Sequence, residues 1–277
     1  WFDLPKYLIP GDSITISTPF RVKIPFGEVS RLGHLEDSYQ ITQWYPKPAV
    51  YDENGWNVMP YLNVGEFYSE FGEFNVSITL PKKYKLAASG NLVKKITDKQ
   101  FRTETFSLKN AHDFAWFADT SWIEETSWVI LPNSGKKVKT YMKYRPENEN
   151  IYKNSVQFVD SAIFYYSQWI GDYPYEVCGA VDGGLTAGAG MEYPTITVVG
   201  ESDNRALLEE VTLHEVGHNW FYGILGNNER ENPWMDEGIN SYYERRYYEE
   251  VRTNINFSDF APILQILKHE APKQKEY

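Results

Sequence analysis

His214-Glu215-Val216-Gly217-His218, followed nineteen residues later by Glu237 in Trp234-Met235-Asp236-Glu237-Gly238, is the stretch around which this chain is organised. On a helix, residues four apart share a face, so both imidazoles can aim at one point. In such a pattern the glutamate after the first histidine is the general base of a metal site. Three nitrogen and oxygen ligands leave a fourth position open, which separates a catalytic zinc site from a closed structural one. Glu237 is the candidate third ligand. Gly223, Gly226, Asn227 and Asn228 can end the first helix, and Asn232-Pro233 reads as N-cap and first residue of a second helix that returns Glu237 to the histidines. The bland alternative is an amphipathic core helix with two buried, hydrogen-bonded histidines, which gives Glu237 no role.

The 277 residues suffice for two domains, and 42% hydrophobic with 23% charged residues is a globular composition. A net charge of −11 argues against nucleic acid as a partner. Residues 201–250 hold twelve acids against four bases, and a negative pocket suits a divalent cation or a cationic substrate group. The single cysteine, Cys178, excludes an internal disulfide and leaves the compartment open. No run approaches eighteen apolar residues, so no transmembrane segment is expected. The chain opens at Trp1-Phe2-Asp3, without an initiator Met or a leader. It reads as cut from a longer precursor, for which an exported or cell-envelope location is compatible.

Residues 1–143 read as β-rich. Phe74-Asn75-Val76-Ser77-Ile78-Thr79-Leu80 alternates strictly, and less regular runs occupy Ser13–Ile24, Ser38–Tyr45, Phe101–Leu108 and Val138–Tyr144. An antiparallel sandwich or saddle-shaped sheet domain is the simplest expectation. The polar stretch Arg145-Pro146-Glu147-Asn148-Glu149-Asn150 marks a boundary, with residues 144–277 as the zinc-binding catalytic domain. Helical spacing predicts a helix over Ile151–Ile170, strands at Val177–Val181 and Thr195–Val199, the metal helix at Asn204–Leu225, a second at Pro233–Val251 and a last amphipathic stretch at Phe257–His269. The fold class expected is α+β.

Three stretches together resemble the aminopeptidase N family of zinc peptidases, gluzincins that include leukotriene-hydrolase-type enzymes. His214-Glu215-Val216-Gly217-His218-Asn219-Trp220-Phe221 resembles the family's metal helix, and Trp234–Gly238 the segment with its third ligand. Gly188-Ala189-Gly190-Met191-Glu192-Tyr193 resembles its G-x-M-E-N strand. Asp113-Phe114-Ala115-Trp116 and Pro81–Gly90 resemble parts of its N-terminal saddle domain. The resemblance implies a saddle followed by the first half of a thermolysin-like catalytic domain, with a catalytic tyrosine further along than residue 277. It implies that Gly190, Met191 and Glu192 line the substrate cleft, Glu192 holding the free amino terminus. Two positions depart from the pattern. Tyr193 replaces an asparagine, and Tyr45, in Thr42-Gln43-Trp44-Tyr45, replaces a second amine anchor, leaving Glu192 and Asp52 as the candidates for that task.

The expectation is therefore a zinc aminopeptidase with one Zn2+ per chain, held by His214, His218 and Glu237, with Glu215 as base. Its substrates are peptides with a free N-terminus. An endopeptidase, or a peptide-binding scaffold without turnover, is the alternative. Glu244 and Glu210 are candidates to orient the histidine ligands. Trp220, Phe221 and Trp234 flank the site, and the spacing of His34, His112 and His269 suggests no metal.

Overall fold

A computed structural model describes residues 4, 7–27, 31–60, 67–184 and 190–252. The expected stretch Phe257–His269 and the residues Gly188 and Ala189 lie outside these.

Among the described residues the first eleven strands follow one another with no helix between them: β1 (Gly33–Leu35), β2 (Ser38–Ile41), β3 (Val50–Asp52), β4 (Gly55–Asn57), β5 (Gly72–Pro81), β6 (Lys85–Ala88), β7 (Asn91–Thr97), β8 (Phe101–Ala111), β9 (Trp116–Asp119), β10 (Ile123–Ile130) and β11 (Lys137–Tyr144). The alternating run at 74–80 forms the body of β5, paired antiparallel with β8, whose other neighbour is β7. A second antiparallel sheet has the order β1-β2-β9-β6, and β3 and β4 make a hairpin turned at Gly55, where φ is 100°. Ile78, Phe106, Leu108 and Phe114 pack with Leu86 and Ala118 between the two larger sheets.

Two strand expectations are corrected. Residues 13–24 form no strand; Ile16 and Phe20 are exposed, and Pro19 and Pro25 interrupt any ladder. The run from Ser38 stops at Ile41, because Gln43 has a φ of 50° and turns the chain out of the sheet.

The next sheet carries the site. Its order is β10-β11-β12-β14-β13, with β12 at Val177–Asp182, β13 at Gly190–Tyr193 and β14 at Ile196–Val199. β11, β12 and β14 are parallel, while β10 and β13 run antiparallel at the two edges. The boundary expected at 143/144 falls at the end of β11, inside this sheet, since β11 pairs with β10 before it and with β12 after it. The polar linker marks where the chain leaves β11 for its crossover. That crossover is two helices, α1 (Glu149–Tyr152) and α2 (Val156–Trp169), rather than one, for Asn154 sits at φ 63° between them.

α2 and the following helix, α3 (Arg205–Phe221), cover one face of the sheet, burying Val138, Met142, Ile163, Leu213 and Val216 together. α3 begins where its cap dictates: the Asn204 side chain accepts a hydrogen bond from Leu207 N at 3.0 Å. It ends four residues before the expected Leu225. The second helix also differs from expectation. Trp234–Gly238 forms a π-helical turn, and α4 (Ile239–Glu250) continues from it; Pro233 precedes the turn and Asn232 supplies no side-chain cap. Among the described residues no helix is long and apolar enough to cross a membrane.

Candidate metal centre

α3 places His214 and His218 one turn apart, and the π turn sets Glu237 opposite them. The two Nε2 atoms are 3.1 Å apart, and Glu237 Oε2 lies 3.3 Å from His214 Nε2 and 3.9 Å from His218 Nε2. A tetrahedral zinc with bonds of ~2.0–2.1 Å needs ligand atoms about 3.3 Å apart, so the three atoms fit such an ion. Their other sides are spoken for. His214 Nδ1 donates to Glu244 Oε2 at 2.8 Å, and His218 Nδ1 to Asp236 Oδ1 at 2.5 Å. A proton held at each Nδ1 leaves each Nε2 lone pair facing the shared point, the tautomer a metal ligand requires.

The charges in this cluster depend on one another. Burial works against a charged His214, but hydrogen bonds to Glu237 and Glu244 overcome it and raise its pKa well above the usual value. Burial likewise opposes charge on His218, and Asp236 outweighs it, lifting the ring to about 9. Glu237 responds in the opposite sense: burial would raise it, but His214 and His218 hold it down to about 2.

Glu215 points from the same helix towards β13. It is 5% exposed, and a Cβ on Gly190 would come within 2.5 Å of its Oε1. Gly190 is therefore the residue that lets the strand pass against this carboxylate. Carboxylate oxygens of Glu192 and Glu215 and a ring nitrogen of His218 lie within 4.8 Å of one another, as do carboxylate oxygens of Glu192, Asp236 and Glu237. Met191 and Glu192 are buried on β13, whose outer edge has no strand partner among the described residues. The structure thus gathers Gly190, Met191, Glu192, His214, Glu215, His218 and Glu237 at one place.

Other expectations resolve differently. Of the two candidates to orient a histidine, Glu244 does so; Glu210 makes no such bond and, through burial and the nearby Glu244 charge, is raised to about 8. Asp236 was not anticipated as a partner of His218. Consecutive residues on a regular α-helix point ~100° apart, so with 237 facing the histidines a regular helix would turn 236 elsewhere. The wider π turn lets both face His218. Asn240 was missed as well: its Nδ2 donates to the His214 carbonyl at 2.7 Å, tying α4 to α3. Tyr45 is turned into the N-terminal sheets, its hydroxyl donating to Asp113 Oδ1 at 3.3 Å. Asp52 is engaged in its own hairpin, accepting from Asn54 N at 2.9 Å. Trp220 and Phe221 are core, whereas Trp234 is exposed.

No family model matches the chain. Aminopeptidase Q of Mus musculus is 33% identical over 60 residues, 20% of this chain and 11% of that protein. Among solved structures, an M1 zinc metallopeptidase from Deinococcus radiodurans matches with a TM-score of 0.57 and 21% identity, covering 75% of this chain and 47% of that one. Its E323A mutant matches at TM-score 0.62 and 19% identity, over 88% and 54%. Legionella pneumophila aminopeptidase A, in complex with aspartic acid, matches at 0.64 and 14%, over 80% and 27%. The chain spans about half the length of the Deinococcus enzyme and less of the others. Its α+β fold is that of the M1 zinc metallopeptidases, over their N-terminal domain and the start of their catalytic domain.

Proposed function

We propose, from the fold this chain shares with M1 zinc metallopeptidases, that it carries the zinc-binding part of a metallo-aminopeptidase. One zinc per chain would be held by His214, His218 and Glu237. The reaction is hydrolysis of the N-terminal peptide bond of peptides with a free amino terminus. The observation that carries this reading is the convergence of two Nε2 atoms and one carboxylate oxygen, at 3.1, 3.3 and 3.9 Å, beside a buried glutamate. We further propose two functional parts, 1–143 and 144–277, with β10 and β11 serving the second.

Zinc bound there would polarise the scissile carbonyl and bring the pKa of a water toward ~7. The remaining work falls to this chain's side chains. Glu215, held between α3 and Gly190, takes the proton from the attacking water and delivers it to the leaving amine. The outer edge of β13, unpaired among the described residues, offers main-chain groups to an extended substrate, with Gly190 and Met191 beside it. Glu192 pairs its carboxylate with the substrate ammonium, which is cationic near and below its pKa of ~8. Glu244 and Asp236 fix the two imidazoles; Glu244→Gln is expected to weaken zinc binding ~10–100-fold, read by chelator competition.

The deciding experiment measures zinc content by mass spectrometry and compares hydrolysis of free-amine and N-acetylated peptides. About one zinc per chain and hydrolysis confined to free amines supports the proposal. Glu192→Ala should then lower kcat/KM for free-amine substrates roughly 30-fold or more, the cost of leaving one member of a buried charge pair alone. Equal losses on blocked peptides would sink the amine role. The turned-away Tyr45 favours one second reading, an endopeptidase, since it leaves Glu192 as the one carboxylate at the expected amine anchors. Equal cleavage of blocked peptides would establish that reading. A chain that binds zinc and cleaves neither would be a scaffold.

A further inference from the structure

The sheet that bears Glu192 on one edge ends at its other edge in β10, four strand spacings or ~19 Å away. There a groove of about 930 Å³ opens between β10 and β11 on one side and β6, β7 and β8 on the other. Seven lysines and arginines line it against three glutamates, in a chain whose net charge is −11. The cations are not equally engaged. Lys95 and Arg102 share Glu104 at 3.0 and 2.9 Å, and Lys143, almost buried on the floor, donates to the Leu86 carbonyl at 2.7 Å. Lys136, Lys137 and Lys139 have no carboxylate within 4.0 Å among the described residues.

The register explains how the charge is presented. Ile130 faces Lys137, Trp128 faces Lys139 and Glu124 faces Lys143 across the β10–β11 pair, so apolar and cationic side chains share one surface. Trp128 is 62% and Ile130 59% exposed, and Leu92 and Val93 of β7 stand exposed on the opposite wall. An exposed aromatic and aliphatic edge is a liability that proteins normally cover. β10 pairs only with β11 among the described residues, so its outer backbone is open to a further strand.

We propose that this groove docks an acidic, extended segment of a partner polypeptide, added as a strand along β10 with its carboxylates on Lys136, Lys137 and Lys139. Three features select a polypeptide over other polyanions. A concave slot between two sheets excludes a flat lipid surface. Unpaired strand backbone is satisfied by another backbone. The apolar walls fit alternate side chains of a strand, as the period of two requires. The site is remote from the metal cleft and does not depend on the function proposed above.

The test uses a fluorescein-labelled decapeptide alternating glutamate with valine, titrated with the purified chain and read by anisotropy. Saturable binding is expected, weakened at least tenfold by K136Q/K137Q/K139Q and separately by Trp128→Ala. The same peptide N-methylated at alternate backbone nitrogens should also bind at least tenfold more weakly. Circular dichroism of the variants, and raised salt on the unaltered chain, keep the result independent of folding. Binding that ignores the lysine changes overturns the proposal. So does lysine-dependent capture of a sulfated polysaccharide or of phosphatidylglycerol vesicles without capture of the peptide. Equal affinity of the N-methylated peptide removes the strand-addition mode and with it the proposal as stated.

Discussion

Glu215→Gln is expected to retain about one zinc per chain and to lower peptide turnover by about 10²–10⁴-fold, the contribution general acid–base catalysis makes. Glutamine keeps the shape of the side chain, so the contact with Gly190 survives and the histidines keep their geometry. What disappears is the ability to accept a proton from water and pass it on. The position makes this a sharp test. Glu215 lies within reach of His218 and Glu192, yet it supplies none of the three atoms that converge at 3.1, 3.3 and 3.9 Å. A ligand at 215 would instead show up as lost zinc in this variant. Turnover within a few-fold of the parent chain, with zinc retained, would remove the base assignment. Gly190→Ala probes the same contact from the other side, since its methyl group would displace this carboxylate.

The second large effect separates the two histidines. Both His214→Ala and His218→Ala should drop zinc below about a tenth per chain, because two ligands do not make a structured zinc site. Their stabilities should differ. His218 is 1% exposed and Asp236 is fully buried, so removing the ring strands a carboxylate in the interior. Breaking a buried pair in this way costs about 3–5 kcal/mol, or a fall in melting temperature near ~10 °C for a chain of this size. Glu244 keeps 14% of its side chain in solvent, so water can replace His214 and the loss should be smaller. Calorimetry on the zinc-free proteins reads this directly. Equal melting temperatures for the two variants would show that Asp236 is not a buried partner of His218.

Much of this centre could be read from residue spacing, because the spacing is local. Asn204 sets where α3 starts, 214 and 218 share its face, and 237 and 244 lie seven apart on one side of the next helical segment. Each follows from helical geometry. What was not legible depends on contacts distant in sequence or on a departure from regular geometry. Gly190 earns its place through Glu215, twenty-five residues later, a contact visible only once β13 lies against α3. The split of the expected 151–170 helix rests on one left-handed asparagine. The run at 13–24 had strand composition, but composition does not supply a neighbour to pair with. The polar linker at 145–150 marks a change in the chain's direction, and the sheet continues across it.

The wide turn at Trp234–Gly238 has a consequence for anyone moving the proposed metal centre elsewhere. The recognisable signature is a spacing of residues in one dimension, but the centre needs two neighbouring carboxylates to address opposite sides of one imidazole. A graft that copied the histidines and the distant glutamate onto two regular α-helices would have the right letters. It would still leave Asp236 aimed away from His218, and the ring free to spin. Portability therefore resides in a five-residue irregularity of the backbone, and a transplant should carry 234–238 as a unit.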